Sequence, residues 1–75
     1  MNETNYAKLR GRITEVCGTQ ERFARAIGLT PTSVSYKLNG KRDWTQGEIR
    51  KTISVLNIPY EALYEYFFAP IVKNT

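Results

Sequence analysis

The stretch Thr19–Arg42, TQERFARAIGLTPTSVSYKLNGKR, decides how the rest of the chain is read. Phe23, Ala24 and Ile27 share one helical face, so a short helix runs from Gln20 to Ile27. Thr19 stands where a hydroxyl can accept from an orphan N–H of the first turn. Gly28 stands where a residue without Cβ ends a helix cheaply, in the left-handed region. Thr30-Pro31 opens a second helix: threonine as N-cap, then proline at a position whose N–H would have no partner anyway. Val34 and Leu38 lie one turn apart as its buried face, and Asn39-Gly40 closes it. The link Gly28-Leu29-Thr30 fits two helices at a steep angle, a helix-turn-helix over about residues 19–40. Ala24 is small where the second helix approaches, and Leu29 plugs the corner.

Working outward, the pattern stays helical. Tyr6, Leu9, Ile13, Val16 and Cys17 recur at three- and four-residue spacing and predict a helix over about 5–17, stopped by Gly18. Lys8, Arg10, Arg12 and Glu15 fall on its outer side. Lys41 to Trp44 form a loop, with Trp44 anchoring it to the core. Thr45-Gln46-Gly47-Glu48 matches a capping box, and Ile49, Ile53 and Leu56 carry a fourth helix to about Asn57. Ile58-Pro59 starts a fifth, aromatic helix over about 59–68, with Tyr60, Leu63 and Phe67 facing inward. Tyr64 and Phe68 form a neighbouring, part-exposed stripe. Pro70 stops it, and residues 71–75 are expected to be a loose tail.

Length and composition exclude much. Seventy-five residues allow one domain, 1–75, with one small core. Hydrophobic residues are 41% and charged residues 24%, too apolar for a disordered chain. No apolar run approaches the ~20 residues of a membrane span, and the start lacks the pattern of a secretory signal. Cys17 is the one cysteine and histidine is absent, so no internal disulfide or conventional zinc site is expected. The missing histidine also removes the usual general base. An enzyme, a cofactor and a metal are therefore not expected. A cytoplasmic binding module is.

The net charge is +4, unevenly placed. From Asn5 to Lys51, ten Lys or Arg face four carboxylates; from Thr52 to Val72 there is no base, only Glu61 and Glu65. A basic body beside an acidic, aromatic end implies two surfaces, one for an anion and one for a protein or the domain's own core. The outer face of the third helix is short, polar and uncharged at its start, as suits entry into a major groove. With Val34 paired to Leu38, either Tyr36 or Lys37 takes the outward place.

Thr19-Gln20, Phe23-Ala24, Ile27-Gly28, Ser33-Val34 and Asn39-Gly40-Lys41 resemble the helix-turn-helix of phage Cro and lambdoid repressor proteins, the XRE-type family. The run Lys37-Leu38-Asn39-Gly40-Lys41, Trp44-Thr45-Gln46, Glu48-Ile49 and Tyr66-Phe67-Phe68 is similar to small Cro-like phage regulators from Gram-positive hosts. The resemblance spans about residues 6 to 68. It implies an all-α, five-helix, lambda-repressor-like DNA-binding domain whose second and third helices read DNA. It implies base contacts from Thr32, Ser33 and Tyr36, with Lys37 as a further reader, and phosphate contacts from Gln20, Asn39, Lys41 and Arg42. Pro31-Thr32 departs from the family, which often starts its reading helix with glutamine.

The sequence thus points to a phage or prophage transcriptional regulator, in the cytoplasm of a bacterial host, that binds a double-stranded operator and acts by occupancy. A weak homodimer is expected through Tyr64, Phe68, Ile71 and Val72, since one helix reads too few base pairs alone. The rival is a protein-binding modulator, an anti-repressor that keeps the fold but binds a repressor protein. The weak start of the reading helix, with no Gln, Asn or Arg at its first positions, is the feature that keeps that rival open.

Overall fold

A computed structural model describes residues 5–68. It is all-α, with no strand among the described residues. Five helices follow in order: α1 (Ala7–Cys17), α2 (Gln20–Ile27), α3 (Pro31–Leu38), α4 (Gln46–Val55) and α5 (Leu63–Phe67), the last preceded by a 3₁₀ turn at Tyr60–Ala62. No helix among the described residues is long and apolar enough to cross a membrane.

Local chemistry sets each boundary. Thr19, Thr30 and Thr45 are extended at their N-cap positions, and each hydroxyl accepts the N–H three residues on. At Thr45 the box is complete: Glu48 Oε1 accepts from the Thr45 N–H at 2.9 Å while the Glu48 N–H reaches Thr45 Oγ1 at 3.2 Å. Gly28 ends α2 at φ 77°, so that the Leu29 N–H turns back to the Ala24 carbonyl at 2.8 Å. Asn57 does the same for α4 at φ 52°, with the Ile58 N–H on the Ile53 carbonyl at 2.9 Å. That left-handed residue explains why α4 stops at Val55, short of the expected end near Asn57.

Helix α2 is the hub, packed against α1, α3 and α4, while α5 rests on α1. Its Phe23, Ala24 and Ile27 meet Tyr6, Leu9 and Ile13 of the α1 region, Val34 and Leu38 of α3, and Leu56, Ile58 and Phe67 from the C-terminal half. Each large side chain buried here contributes about 1.5–3 kcal/mol relative to exposure. Trp44 joins the layers from the loop. Its ring lies 6.4 Å from Tyr6, 6.5 Å from Phe23 and 5.4 Å from Phe67, edge-on to the last. It is the loop anchor that the sequence suggests, although its buried Nε1–H has no partner among the described residues.

Two expectations about facing and one about the extent of a helix do not hold. Val16 is exposed, because α1 buries only Leu9 and Ile13 and ends one residue later. Tyr60 is 70% exposed rather than inward, since Ile58 already occupies the apolar place before Pro59. The single aromatic helix over 59–68 is instead a 3₁₀ turn followed by five α-helical residues. Tyr64 and Phe68 are part-exposed as expected, at 60% and 52%. Ile71 and Val72, also assigned to a dimer seam, lie outside the described residues, as does the expected tail.

Candidate partner-binding face

The outward face of α3 is built by its own inner stripe. Val34, Lys37 and Leu38 are the buried positions, so Thr32 and Tyr36 turn outward, with Ser33 and Ser35 half-buried between. Thr30 is occupied as a cap, accepting from the Ser33 N–H at 3.1 Å. The question between Tyr36 and Lys37 is thereby answered: Tyr36 is 38% exposed and Lys37 only 6%.

Lys37 is a correction to the sequence reading, which offered it as a base reader. Its Nζ donates to the Asp43 carbonyl and to Glu48 Oε1, both at 2.9 Å, and stands 5.9 Å from the Trp44 ring centre. An ammonium so placed is held by three groups within the domain and cannot reach a groove. Burial pushes the Glu48 carboxyl up, but the Thr45 backbone N–H, the Lys37 ammonium and the Thr45 hydroxyl outweigh it and hold it below the usual carboxylate range. The signal was present in the sequence: Lys37 sits three residues after Val34, on the stripe that faces inward.

Beyond α3 the chain folds back. Gly40 takes φ 73°, and the Lys41 N–H bonds the Tyr36 carbonyl at 2.8 Å. Both following cations then lean on one ring: Lys41 Nζ is 5.7 Å and Arg42 Cζ 5.1 Å from the centre of Tyr36. Asn39 is exposed but engaged, its Oδ1 accepting from Arg10 Nη2 at 2.7 Å and its amide facing Ser35 Oγ at 3.4 Å. Gln20 is exposed in the first turn of α2. The structure therefore brings Tyr36, Lys41 and Arg42 together. Thr32 and Gln20 stand exposed on their own helices.

Two arginines of α1 serve structural ends that spacing could not foresee. Arg10 Nη2 donates to the Leu38 carbonyl at 2.9 Å, closing the last turn of α3. Arg12 Nε donates to the Leu56 carbonyl at 2.9 Å and its Nη1 to Glu15 at 2.5 Å. Lys8 pairs with Glu65 of α5 and lies 4.9 Å over the Tyr66 ring. The hydrogen bond to Glu65 is the main reason its ammonium titrates above the usual lysine value.

The family model described as a protein of unknown function, DUF739, matches residues 3–70. The chain belongs to the DUF739 family. It is also similar to the solution structure of the modulator of repression, MOR, of the temperate bacteriophage TP901-1 from Lactococcus lactis. Identity is 45%, covering 88% of this chain and 89% of that one, with a TM-score of 0.77. No curated protein matches.

In this DUF739 chain the basic body is half engaged internally. Of the ten bases between Asn5 and Lys51, Lys8, Arg10, Arg12, Arg25 and Lys37 bond to carboxylates or carbonyls of the same molecule. Arg22, Lys41, Arg42, Arg50 and Lys51 have no acidic partner among the described residues. They are divided among α2, the loop and α4. What the DUF739 chain offers outward is thus one cation-flanked tyrosine on a short-chained polar helix, and one aromatic stripe at the other end of the sequence.

Proposed function

We propose that this chain is a phage-type regulator that modulates repression inside a bacterial host by binding a repressor protein. The observation that carries the proposal is the 45% identity, across almost the whole of both chains, to a protein named a modulator of repression. The geometry supports a protein partner. Thr32, Ser33 and Ser35 are too short for the two-bond base recognition that Gln, Asn or Arg provides, and Lys37 is withdrawn. A protein that contacts roughly 6–10 phosphates draws much of its affinity from them, whereas five bases without an acidic partner remain among the described residues, divided among α2, the loop and α4. Tyr60, Tyr64 and Phe68 meanwhile present exposed aromatic surface beside Glu61, which forms no ion pair among the described residues, and this suits a protein better than a phosphate backbone.

The second reading is direct operator binding by an XRE-type helix-turn-helix. One arrangement favours it: Gln20, Thr32 and Tyr36 are exposed on α2 and α3, with Lys41 and Arg42 just past the reading helix. In that reading a homodimer through Tyr64 and Phe68 would supply the second half-site.

Calorimetric titration of the chain into the helix-turn-helix repressor of the same phage or prophage tests the first reading, beside a titration into that repressor's operator duplex. Saturable heat with the repressor and none with the duplex is the expected result. Sequence-preferring binding to the duplex, without binding to the repressor, would transfer the assignment to the second reading.

A further inference from the structure

We infer that Tyr36, Lys41 and Arg42 form an anion-binding platform whose partner is a carboxylate-rich segment of a protein. The inference rests on the reading that the chain's partner is a protein, and it adds the chemistry of one contact.

The platform is assembled from both sides. Gly40 at φ 73° and the bond from the Lys41 N–H to the Tyr36 carbonyl turn the loop back over α3. From beneath, Lys37 holds the Asp43 carbonyl, so the loop is fixed at both ends of Lys41-Arg42. The ammonium and the guanidinium then share one tyrosine ring, at 5.7 and 5.1 Å from its centre. Two like charges gathered around one ring, each within 6 Å of its centre, repel each other, and the ring's quadrupole offsets that repulsion only in part. No carboxylate among the described residues completes the set. Asp43 is the nearest acid in the chain, and its side chain forms no ion pair among the described residues. Glu48, the acid at the start of α4, is turned inward to Lys37. The cluster is therefore an exposed pair of positive charges in fixed places, lacking the anion that would relieve it.

Protein carboxylates fit this better than phosphates do. The residues that would flank a bound duplex on α3 are short and neutral, and the other unpaired bases, Arg22, Arg50 and Lys51, belong to other helices. A tyrosine beside an arginine is the composition of a protein–protein contact centre. The fork of Arg42 can take a carboxylate through two parallel bonds.

The test is an amide-shift titration of the isotope-labelled full chain with a capped hexaglutamate peptide, and separately with a short DNA duplex, each at low and moderate salt. Hexaglutamate should move the amides between Tyr36 and Asp43 more than those of Arg22, Arg50 and Lys51. Tyr36→Leu should weaken the peptide by roughly 2–5-fold although no charge changes, and Tyr36→Phe should keep it. Lys41→Gln and Arg42→Gln, both at exposed positions, should each weaken it further. Shifts spread evenly over all five unpaired bases, or equal affinity in Tyr36→Leu and the wild type, would overturn the platform. Tighter binding of the duplex at the same residues would overturn the choice of partner. If Tyr36→Leu loses its folded spectrum, the glutamine variants decide: unchanged affinity in both ends the proposal. The titration contains no repressor, so its failure is distinct from a failure of the repressor to bind.

Discussion

Replacing Lys37 by methionine separates the structural role found here from the DNA-reading role that the sequence offered. Methionine keeps the apolar stem and removes the ammonium. Two bonds of 2.9 Å are lost, to the Asp43 carbonyl and to Glu48. Removing one member of a buried ion pair costs about 3–5 kcal/mol when the other is left uncompensated. Glu48 keeps both Thr45 donors and some access to solvent, which brings the expected loss down to about 2 kcal/mol. For a domain of this size the melting temperature should fall by roughly 10 °C. Urea and thermal unfolding, followed by circular dichroism at neutral pH, measure it. Lys37→Met combined with Glu48→Gln should recover part of the loss, since the two changes act on one bond. The acid limb gives a second signature. Glu48 is held below its ordinary 4.5 in the folded chain, so its contribution is present above that value and lost as pH falls through the lower folded one. That limb should be flatter in Lys37→Met. A variant as stable as the wild type, but with weaker discrimination between operator and random DNA, would refute the reasoning and return Lys37 to the groove.

Three further outcomes follow from backbone and capping geometry. Gly11 lies exposed in the middle of α1 with nothing within 4 Å of a would-be Cβ, so Gly11→Ala should raise unfolding stability by about 1 kcal/mol; a decrease would mean that α1 is not continuous there. Asn57 at φ 52° should tolerate glycine with no loss, while Asn57→Val should cost roughly 1–2 kcal/mol in urea unfolding; equal stability of the two variants would contradict the left-handed stop of α4. Arg10→Ala uncovers the Leu38 carbonyl and should cost about 1–2 kcal/mol while speeding hydrogen exchange in the last turn of α3. Unchanged exchange there would show that Arg10 does not close that helix.

The helix-turn-helix segment was legible because its signals are local. Thr19, Thr30, Thr45, Gly28 and Pro31 act within one helical turn, and each sits in the conformation that its chemistry prefers. Phe23, Ala24 and Ile27 likewise follow from spacing alone. What spacing could not show are partners far along the chain. Arg10 and Arg12 read as a solvated face because Leu38 and Leu56, whose carbonyls they bond, lie 28 and 44 residues away. For Lys37 the inward position follows from its spacing to Val34, but its partner does not, because the neutralising carboxylate belongs to the capping box of the next helix. The aromatic end was misread at Tyr60 because a 3₁₀ turn after Pro59 breaks the periodicity on which the inward stripe was drawn. At the candidate site, Tyr36, Lys41 and Arg42 were each singled out, but their meeting on one ring depends on the left-handed turn at Gly40.

A gel-shift experiment with the operator duplex, the repressor of the same phage or prophage and this chain separates repressor binding from operator binding. A modulator that binds the repressor leaves the duplex unshifted on its own at physiological salt, yet changes the mobility or the amount of the repressor–operator band when added in equal proportion. A sequence-preferring shift by the chain alone, with the repressor band untouched, would contradict it.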